Sequence, residues 1–196
     1  TMNCTVATER VASALGFSTR DGDAHLHATP PGAGGLVMLP FLNGERTPDL
    51  PLGKGVLAGL DIANFTPAHL YRAAMEGATY SLKYGYDAFV RAGMQFDRIV
   101  LTGGGSNSAA WRQLVADVFG LPVDVPVQAE GAAFGAALQA LWALARARGD
   151  ATSISDITAR HVTVDPALSA RPDPARSDAY ALSLIHISEP TRLLSI

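Results

Sequence analysis

The chain has 196 residues, of which 48% are hydrophobic and 17% charged, and this composition is typical of a globular domain with a full core. The formal net charge of −3 argues against a nucleic-acid-binding protein, which would carry a basic face. The alanine-rich run over 131–147 is too short to span a bilayer, so no membrane partner is expected. Cys4 is the single cysteine, which excludes an internal disulfide and favours a reducing, cytoplasmic location.

The predicted elements alternate between strands and helices, a pattern typical of an α/β layered domain. The longest helix has the clearest signals, because Thr66 and Pro67 suit an N-cap and a first helical residue, and Gly93 suits the C-terminus. The other elements, in chain order, are a helix over 4–15, a polar surface segment over 18–28, a loop over 29–35, a buried strand over 36–41, a glycine-punctuated loop over 53–59, a strand over 99–102, a helix over 109–119, a strand over 123–125, a helix over 130–147, a strand over 160–164 and a helix from 172.

Oppositely charged residues lie four positions apart along the longest predicted helix. Arg72 and Glu76 form one such pair, Lys83 and Asp87 form a second, and Asp87 and Arg91 form a third. Because residues at this spacing are neighbours on a helix surface, we expect all three pairs on the outer face, each contributing a few tenths of a kcal/mol.

A glycine-rich turn follows the predicted strand over 99–102. Three consecutive glycines, Gly103 to Gly105, lead into Ser106, Asn107 and the helix over 109–119. When a strand leads through a glycine turn into a helix, unpaired backbone N–H groups and the positive end of the helix dipole point to the same place. Such an arrangement suits an anion such as phosphate. Glycine admits both the turn dihedrals and a close ligand. A plain tight turn between strand and helix remains the alternative.

Two other nucleotide-binding motifs fit this turn less well. A dinucleotide-binding turn would place a third glycine where Ser108 stands, although Asp124 lies at about the expected distance for its acidic residue. A P-loop is excluded, because no Gly-Lys-Ser/Thr run ends the turn.

Several motifs together resemble the FGGY family of carbohydrate kinases over roughly residues 4–180. GVLAGL over 55–60, followed after eight residues by HLYRAAME over 69–76, resembles the second family signature. GGGSNS over 103–108 with WRQ over 111–113 resembles the family's adenosine-binding loop and the helix after it. EGAAFGAA over 130–137 resembles the next helix, and GERTP over 44–48 is similar to the corresponding loop of the xylulokinase branch.

The resemblance implies an α/β fold of the actin-like ATPase, or ribonuclease H-like, type, with this chain as the C-terminal lobe of a sugar kinase. It implies transfer of the ATP γ-phosphate to a ketopentose such as D-xylulose, with ATP and Mg²⁺ as cofactors. Kinases for gluconate or ribulose are alternatives within the family, and a non-catalytic actin-like nucleotide-binding module is the alternative outside it. The expected partners are the sugar, ATP and an upstream N-terminal lobe; a homodimer stays open.

The same resemblance assigns the nucleotide-binding residues to the glycine turn. They are Gly103, Gly104, Gly105, Ser106 and Asn107, with the glycines as backbone donors and Asn107 as a polar contact. In the family, the catalytic aspartate and the first phosphate-binding loop lie in the upstream lobe, so no catalytic residue is expected here. No metal site is expected either, and the chain alone is predicted to be inactive because phosphoryl transfer needs both sides of the site.

Three residues outside the turn have two interpretations each. Trp111 is expected in the core, with a ligand contact as the alternative. Asp124 is expected to be solvated, with ribose or magnesium binding as the alternative. Arg46, in a loop rich in glycine and proline, suits either a salt bridge to Glu45 or Asp49 or a phosphate contact.

Both ends of the chain look unlike natural termini. Residues 1–182 are interpreted as an N-terminally truncated lobe of the FGGY type, because the chain opens without an obvious start region. Residues 183–196 have neither a helical nor a strand period and resemble a translated adapter, so we predict a non-native tail there.

Overall fold

In the computed structural model, residues 3–128 and 130–188 are described. Among these residues, no helix has the length and apolar character needed to cross a membrane. The helices and strands in chain order are α1 (Cys4–Ala14), α2 (Gly22–His27), β1 (Val37–Leu39), β2 (Val56–Ala58), α3 (Pro67–Arg91), β3 (Ile99–Val100), α4 (Ala109–Phe119), β4 (Val123–Asp124), α5 (Gly131–Ala147), α6 (Ile154–His161) and α7 (Pro174–Ser188).

Helix α3 is the central element, and its ends confirm the sequence prediction. The Thr66 hydroxyl accepts the His69 N–H at 3.3 Å, Pro67 occupies the first turn, and Gly93 follows the helix with a φ of 88°. Residues 71–80 are buried on every face, because α1, α2, α4 and β1 all pack around this part of the helix. At Gly77 a Cβ would collide with the Met38 carbonyl oxygen, so glycine lets β1 approach the helix backbone.

Two short sheets lie beside this helix. Strand β1 pairs antiparallel with β2, with Val37 opposite Ala58. Strand β3 pairs parallel with β4, with Ile99 opposite Val123. The carboxyl ends of β3 and β4 therefore share one edge, which is where an open α/β sheet usually binds its ligand.

Three of the predicted segments are wrong. The segment over 18–28 contains helix α2, whose Leu26 is buried. The loop over 53–59 contains strand β2, which supplies the only paired neighbour of β1 among the described residues. The strand predicted over 160–164 is preceded and partly replaced by helix α6, because Ser153 and Asp156 form a capping box that starts a helix there.

The pair Arg72–Glu76 is buried, which corrects the prediction of an exposed pair. The side chains are 9% and 2% exposed, and Arg72 Nε lies 2.8 Å from Glu76 Oε1. The position is buried because α2 and α7 cover this side of α3: Arg72 also donates to the Leu26 and Thr29 carbonyls and to the Tyr180 hydroxyl. Among the described residues, Lys83–Asp87 is the one predicted pair found as a partly exposed ion pair.

The predicted tail lies partly within the described residues. Helix α7 runs to Ser188, so the backbone over 183–188 is helical, while 189–196 lies outside the described residues. Tyr180, within this helix, is buried at 1% exposure.

We predict that removing residues 183–196 changes the free energy of unfolding by less than roughly 0.5 kcal/mol, the range of a surface change. Urea denaturation of the shortened and complete chains measures the difference. A clearly larger loss would mean that the apolar residues after 182 pack on the core and would overturn the adapter interpretation.

Candidate nucleotide-binding site

The predicted glycine turn forms a short 3₁₀ turn over Gly104–Asn107 at the end of β3. Gly103 precedes it with a φ of 85°, a left-handed conformation that favours glycine. Among the described residues, the N–H groups of Gly104 and Gly105 have no hydrogen-bond acceptor, as expected at the start of a helical turn. The turn therefore has two adjacent backbone donors without an acceptor among the described residues.

The three glycines have different structural requirements. A Cβ at Gly104 would meet no atom within 4 Å, so this position is open toward solvent. A Cβ at Gly105 would lie 3.1 Å from the Trp111 ring, so glycine here lets the turn pack on the indole. Gly104 is consequently a position where a side chain would meet no protein atom nearby.

The turn lies at the edge of a cleft of about 500 Å³. Residues from α1, from the segment before α2, from α2 itself, from α3 and from the start of α4 line the cleft together with the turn. The lining residues are Thr5, Thr8, Glu9, Thr19, Arg20, Asp23, Tyr71, Met75, Gly104, Gly105, Asn107, Ser108 and Trp111. Both charge signs are present, which fits a polar ligand that carries donors and acceptors together with phosphate groups.

Comparison with known proteins decides the family. The profile described as "FGGY family of carbohydrate kinases, C-terminal domain" matches residues 9–144, well over half of the chain. The chain belongs to the FGGY family of carbohydrate kinases. Its fold is accordingly that of the C-terminal lobe in the actin-like ATPases of this family.

Individual relatives agree with this assignment. The chain is 43% identical over 142 residues to a xylulose kinase from Haemophilus influenzae, an alignment that covers 72% of this chain and 29% of the relative. The crystal structure of a xylulose kinase from Bifidobacterium adolescentis superposes with a TM-score of 0.73 at 31% identity and covers 92% of this chain and 34% of the other. A gluconate kinase from Lactobacillus acidophilus gives a TM-score of 0.85 at 21% identity, covers 98% and 39%, and shares the fold. The chain thus spans less than a third of the length of the Haemophilus relative.

The five residues predicted for the FGGY nucleotide site have different places in the structure: some line the cleft and others support the turn. Gly104, Gly105 and Asn107 line the cleft. Ser106 is buried, and its hydroxyl donates to the Gly103 carbonyl at 2.7 Å, so its side chain stabilises the turn from inside. Gly103 sets the turn conformation through its positive φ.

Helix α4 fixes the turn from behind. Arg112 is buried, and its Nη1 donates to the Ser106 carbonyl at 2.7 Å. Trp111 is 6% exposed, which confirms its predicted place in the core, and its Nε1 donates to the Thr79 hydroxyl at 3.0 Å. Since both side chains are buried and hydrogen-bonded, the turn rests on a rigid support.

The other candidate residues lie away from the cleft or have partners of their own. Asp124 is buried rather than solvated; it accepts the Ser169 hydroxyl at 3.0 Å and lies 3.6 Å from Arg98 and 3.5 Å from Arg171. This pairing accounts for the carboxylate without a ligand. No ion pair is found for Arg46 among the described residues, and it does not line the cleft.

Several residues that line the cleft were not predicted from the sequence, and they lie on α1 and α2. Thr5, Thr8 and Glu9 are polar residues at positions i, i+3 and i+4 of α1, a spacing that places them on one face. That polar stripe was a signal for a second surface. Asp23 had no sequence signal, because only the fold brings α2 next to the start of α4.

Proposed function

We propose that the chain is the nucleotide-binding C-terminal lobe of a cytoplasmic, ATP-dependent carbohydrate kinase that acts in xylose metabolism. The reaction would be ATP plus D-xylulose to ADP plus D-xylulose 5-phosphate. The single observation that carries the proposal is the exposed glycine turn, whose two N–H groups have no acceptor among the described residues, in a chain of the FGGY family. The sugar is inferred from the relatives, because the curated proteins with 40–43% identity bear the name xylulose kinase.

The turn and cleft suit the phosphates and the nucleoside of ATP. The N–H groups of Gly104 and Gly105 would donate to phosphate oxygens, and the partial positive charge at the start of α4 would favour the same anion. Asn107 is exposed at the cleft and would offer its amide to the nucleoside. ATP supplies the phosphoryl group, and this lobe holds it in place.

Magnesium ligands are not assigned to this lobe. Among residues 3–128 and 130–188 there is no group of three or more His, Cys, Asp or Glu side chains placed to hold a metal ion. Magnesium commonly binds through substrate phosphates, waters and one or two carboxylates. We propose that Mg²⁺ enters with ATP and meets its protein carboxylates on the other lobe, together with the sugar and the catalytic base.

We predict that the 196-residue chain shows no sugar-dependent ATP consumption, because catalysis needs two assembled sides. ADP release with D-xylulose and Mg-ATP measures this directly. Turnover above the background without sugar would refute the requirement for a second lobe.

The longer protein tests the proposed reaction itself. We expect ADP release to depend on D-xylulose more strongly than on ribulose or gluconate, which are the alternatives within the family. A preference for another sugar would change the substrate and leave the kinase assignment intact. ADP binding with no sugar-dependent turnover would favour a non-catalytic nucleotide-binding module.

A further inference from the structure

The carboxylate of Asp23 bridges from α2 to the start of α4. Its Oδ1 accepts the Ser108 hydroxyl, and its Oδ2 accepts the Ala110 N–H at 3.4 Å. Ser108 is in turn the N-cap of α4, since its hydroxyl oxygen accepts the Trp111 N–H at 2.9 Å. One side chain from a remote part of the sequence therefore fixes the residue that immediately follows the glycine turn.

Helix α2 is itself firmly held, so Asp23 has a fixed position. At Gly22 a Cβ would collide with the Tyr71 side chain, so the helix backbone lies directly against α3. At the other end of α2, Arg72 Nη1 donates to the Leu26 carbonyl at 2.6 Å. Contacts with α3 at both ends of this short helix limit any displacement of Asp23.

Ser108 is also coupled to the turn through the backbone. Its N–H donates to the Gly105 carbonyl at 3.3 Å, and it follows Asn107 directly in the chain. The Gly105 carbonyl belongs to the peptide unit next to the one that carries the Gly105 N–H, so a shift of Ser108 would be transmitted to the glycine turn. Asp23 and Ser108 both line the cleft, so the contact lies beside the volume that a nucleotide would occupy.

We propose that Asp23 is a positioning residue for nucleotide binding, which acts by holding Ser108 and thereby the N–H groups of Gly104 and Gly105. This inference rests on the proposed function. It assigns no contact between Asp23 and the reacting atoms. Binding of a phosphate by backbone donors depends on their orientation before the ligand arrives, and Asp23 provides that pre-organisation.

The test is steady-state kinetics of the full-length kinase encoded with this chain. For D23A we expect the KM for ATP to rise about tenfold, with kcat and the sugar KM within about twofold of the original enzyme. D23N keeps an acceptor oxygen for the Ser108 hydroxyl, so we expect it to restore most of the ATP affinity. D21A is the matched control, because the Asp21 carboxylate accepts hydrogen bonds from the Ser18 N–H and hydroxyl in the same segment and Asp21 does not line the cleft. The ATP KM of D21A should not change.

A double-mutant cycle separates positioning from general stability. If Asp23 acts through Ser108, the ATP KM of D23A/S108A should equal that of the more affected single variant, whereas independent effects would multiply. An unchanged ATP KM in D23A, a multiplicative double variant, or equal increases in the ATP and sugar KM would each overturn the inference. If D23A does not fold, S108A removes the same contact from the other side, so its ATP KM should rise while that of D23N stays near the original value.

The proposed function fails in a different way. Absence of sugar-dependent turnover in the unsubstituted full-length enzyme would overturn the kinase proposal before any variant is compared. Full activity with an unchanged ATP KM in D23A and S108A would overturn only the positioning role.

Discussion

Replacing Arg72 by methionine is expected to lower the free energy of unfolding by about 3–5 kcal/mol at pH 8, because it leaves the buried Glu76 carboxylate without its ion-pair partner. Arg72 also donates to two backbone carbonyls and to the Tyr180 hydroxyl, so the substitution removes hydrogen bonds that link α3 to α2 and to α7. Urea denaturation of the complete chain at pH 8 measures the loss.

The same substitution should be less damaging at lower pH. Burial raises the pKa of Glu76 from an ordinary value of 4.5 to about 7, while Arg72, the Gly32 N–H and the Tyr180 hydroxyl lower it. Removing Arg72 removes one of the lowering effects, so the pKa of Glu76 in the folded variant should rise further. At pH 5.5 the carboxyl then takes up a proton instead of remaining as an unpaired charge.

The original chain should show the corresponding pH dependence with a definite sign. Because the folded-state pKa of Glu76 lies above its unfolded value, the folded state holds the proton more tightly. The contribution of Glu76 to stability is complete below about pH 4.5 and is lost as pH rises through about 7. E76Q should remove this part of the pH dependence.

The pair Lys83–Asp87 provides the control on the same helix. It has the same spacing as Arg72–Glu76, but the Asp87 side chain is 37% exposed. K83M should cost less than about 0.5 kcal/mol at either pH, as expected for a solvated pair. A loss in R72M as small as that in K83M would contradict the interpretation of Arg72 as the central buried connection.

Replacing Gly104 by valine is expected to raise the nucleotide KM of the full-length kinase more than tenfold, which corresponds to a loss of over about 1.4 kcal/mol. The new side chain would stand where a phosphate must approach the Gly104 and Gly105 N–H groups. The Cβ meets no protein atom within 4 Å, so the melting temperature should change little. The sugar KM should stay within about twofold.

Gly85 is the matched control for this substitution. A Cβ at Gly85 likewise meets no atom within 4 Å, but the residue lies on α3 and does not line the cleft. G85V should leave the nucleotide KM unchanged. An unchanged nucleotide KM in G104V would move the site away from the glycine turn.

Local patterns in the sequence predicted the ends of α3 and α4 and the glycine turn well, whereas α2 and α6 were missed. Thr66, Pro67 and Gly93 marked the ends of α3, and Gly120 marked the end of α4, because caps and glycine stops act within a few residues. The three glycines before α4 likewise indicated the turn. These features depend on backbone conformation, which neighbouring residues largely determine.

Features that depend on tertiary packing could not be predicted in this way. The spacing of Arg72 and Glu76 fits a surface pair equally well, and only the arrival of α2 and Tyr180 makes it a buried network. Asp23 lies in a polar segment whose sequence gave no sign of the contact with Ser108. The candidate cleft is lined by residues of α1 and α2 as well as by the turn. The turn was predicted from the sequence, but the positions of α1 and α2 beside it depend on tertiary packing.

Photoaffinity labelling with 8-azido-ADP tests the central claim, that the glycine turn binds nucleotide, most directly. Trypsin cleaves after Arg98 and Arg112, so the turn and the start of α4 are released as one peptide over 99–112. Nucleotide binding at the turn predicts that this peptide carries the label, that excess ADP displaces it, and that G104V prevents labelling. Label found only on other peptides, or undiminished in G104V, would contradict a nucleotide site at Gly104 and Gly105.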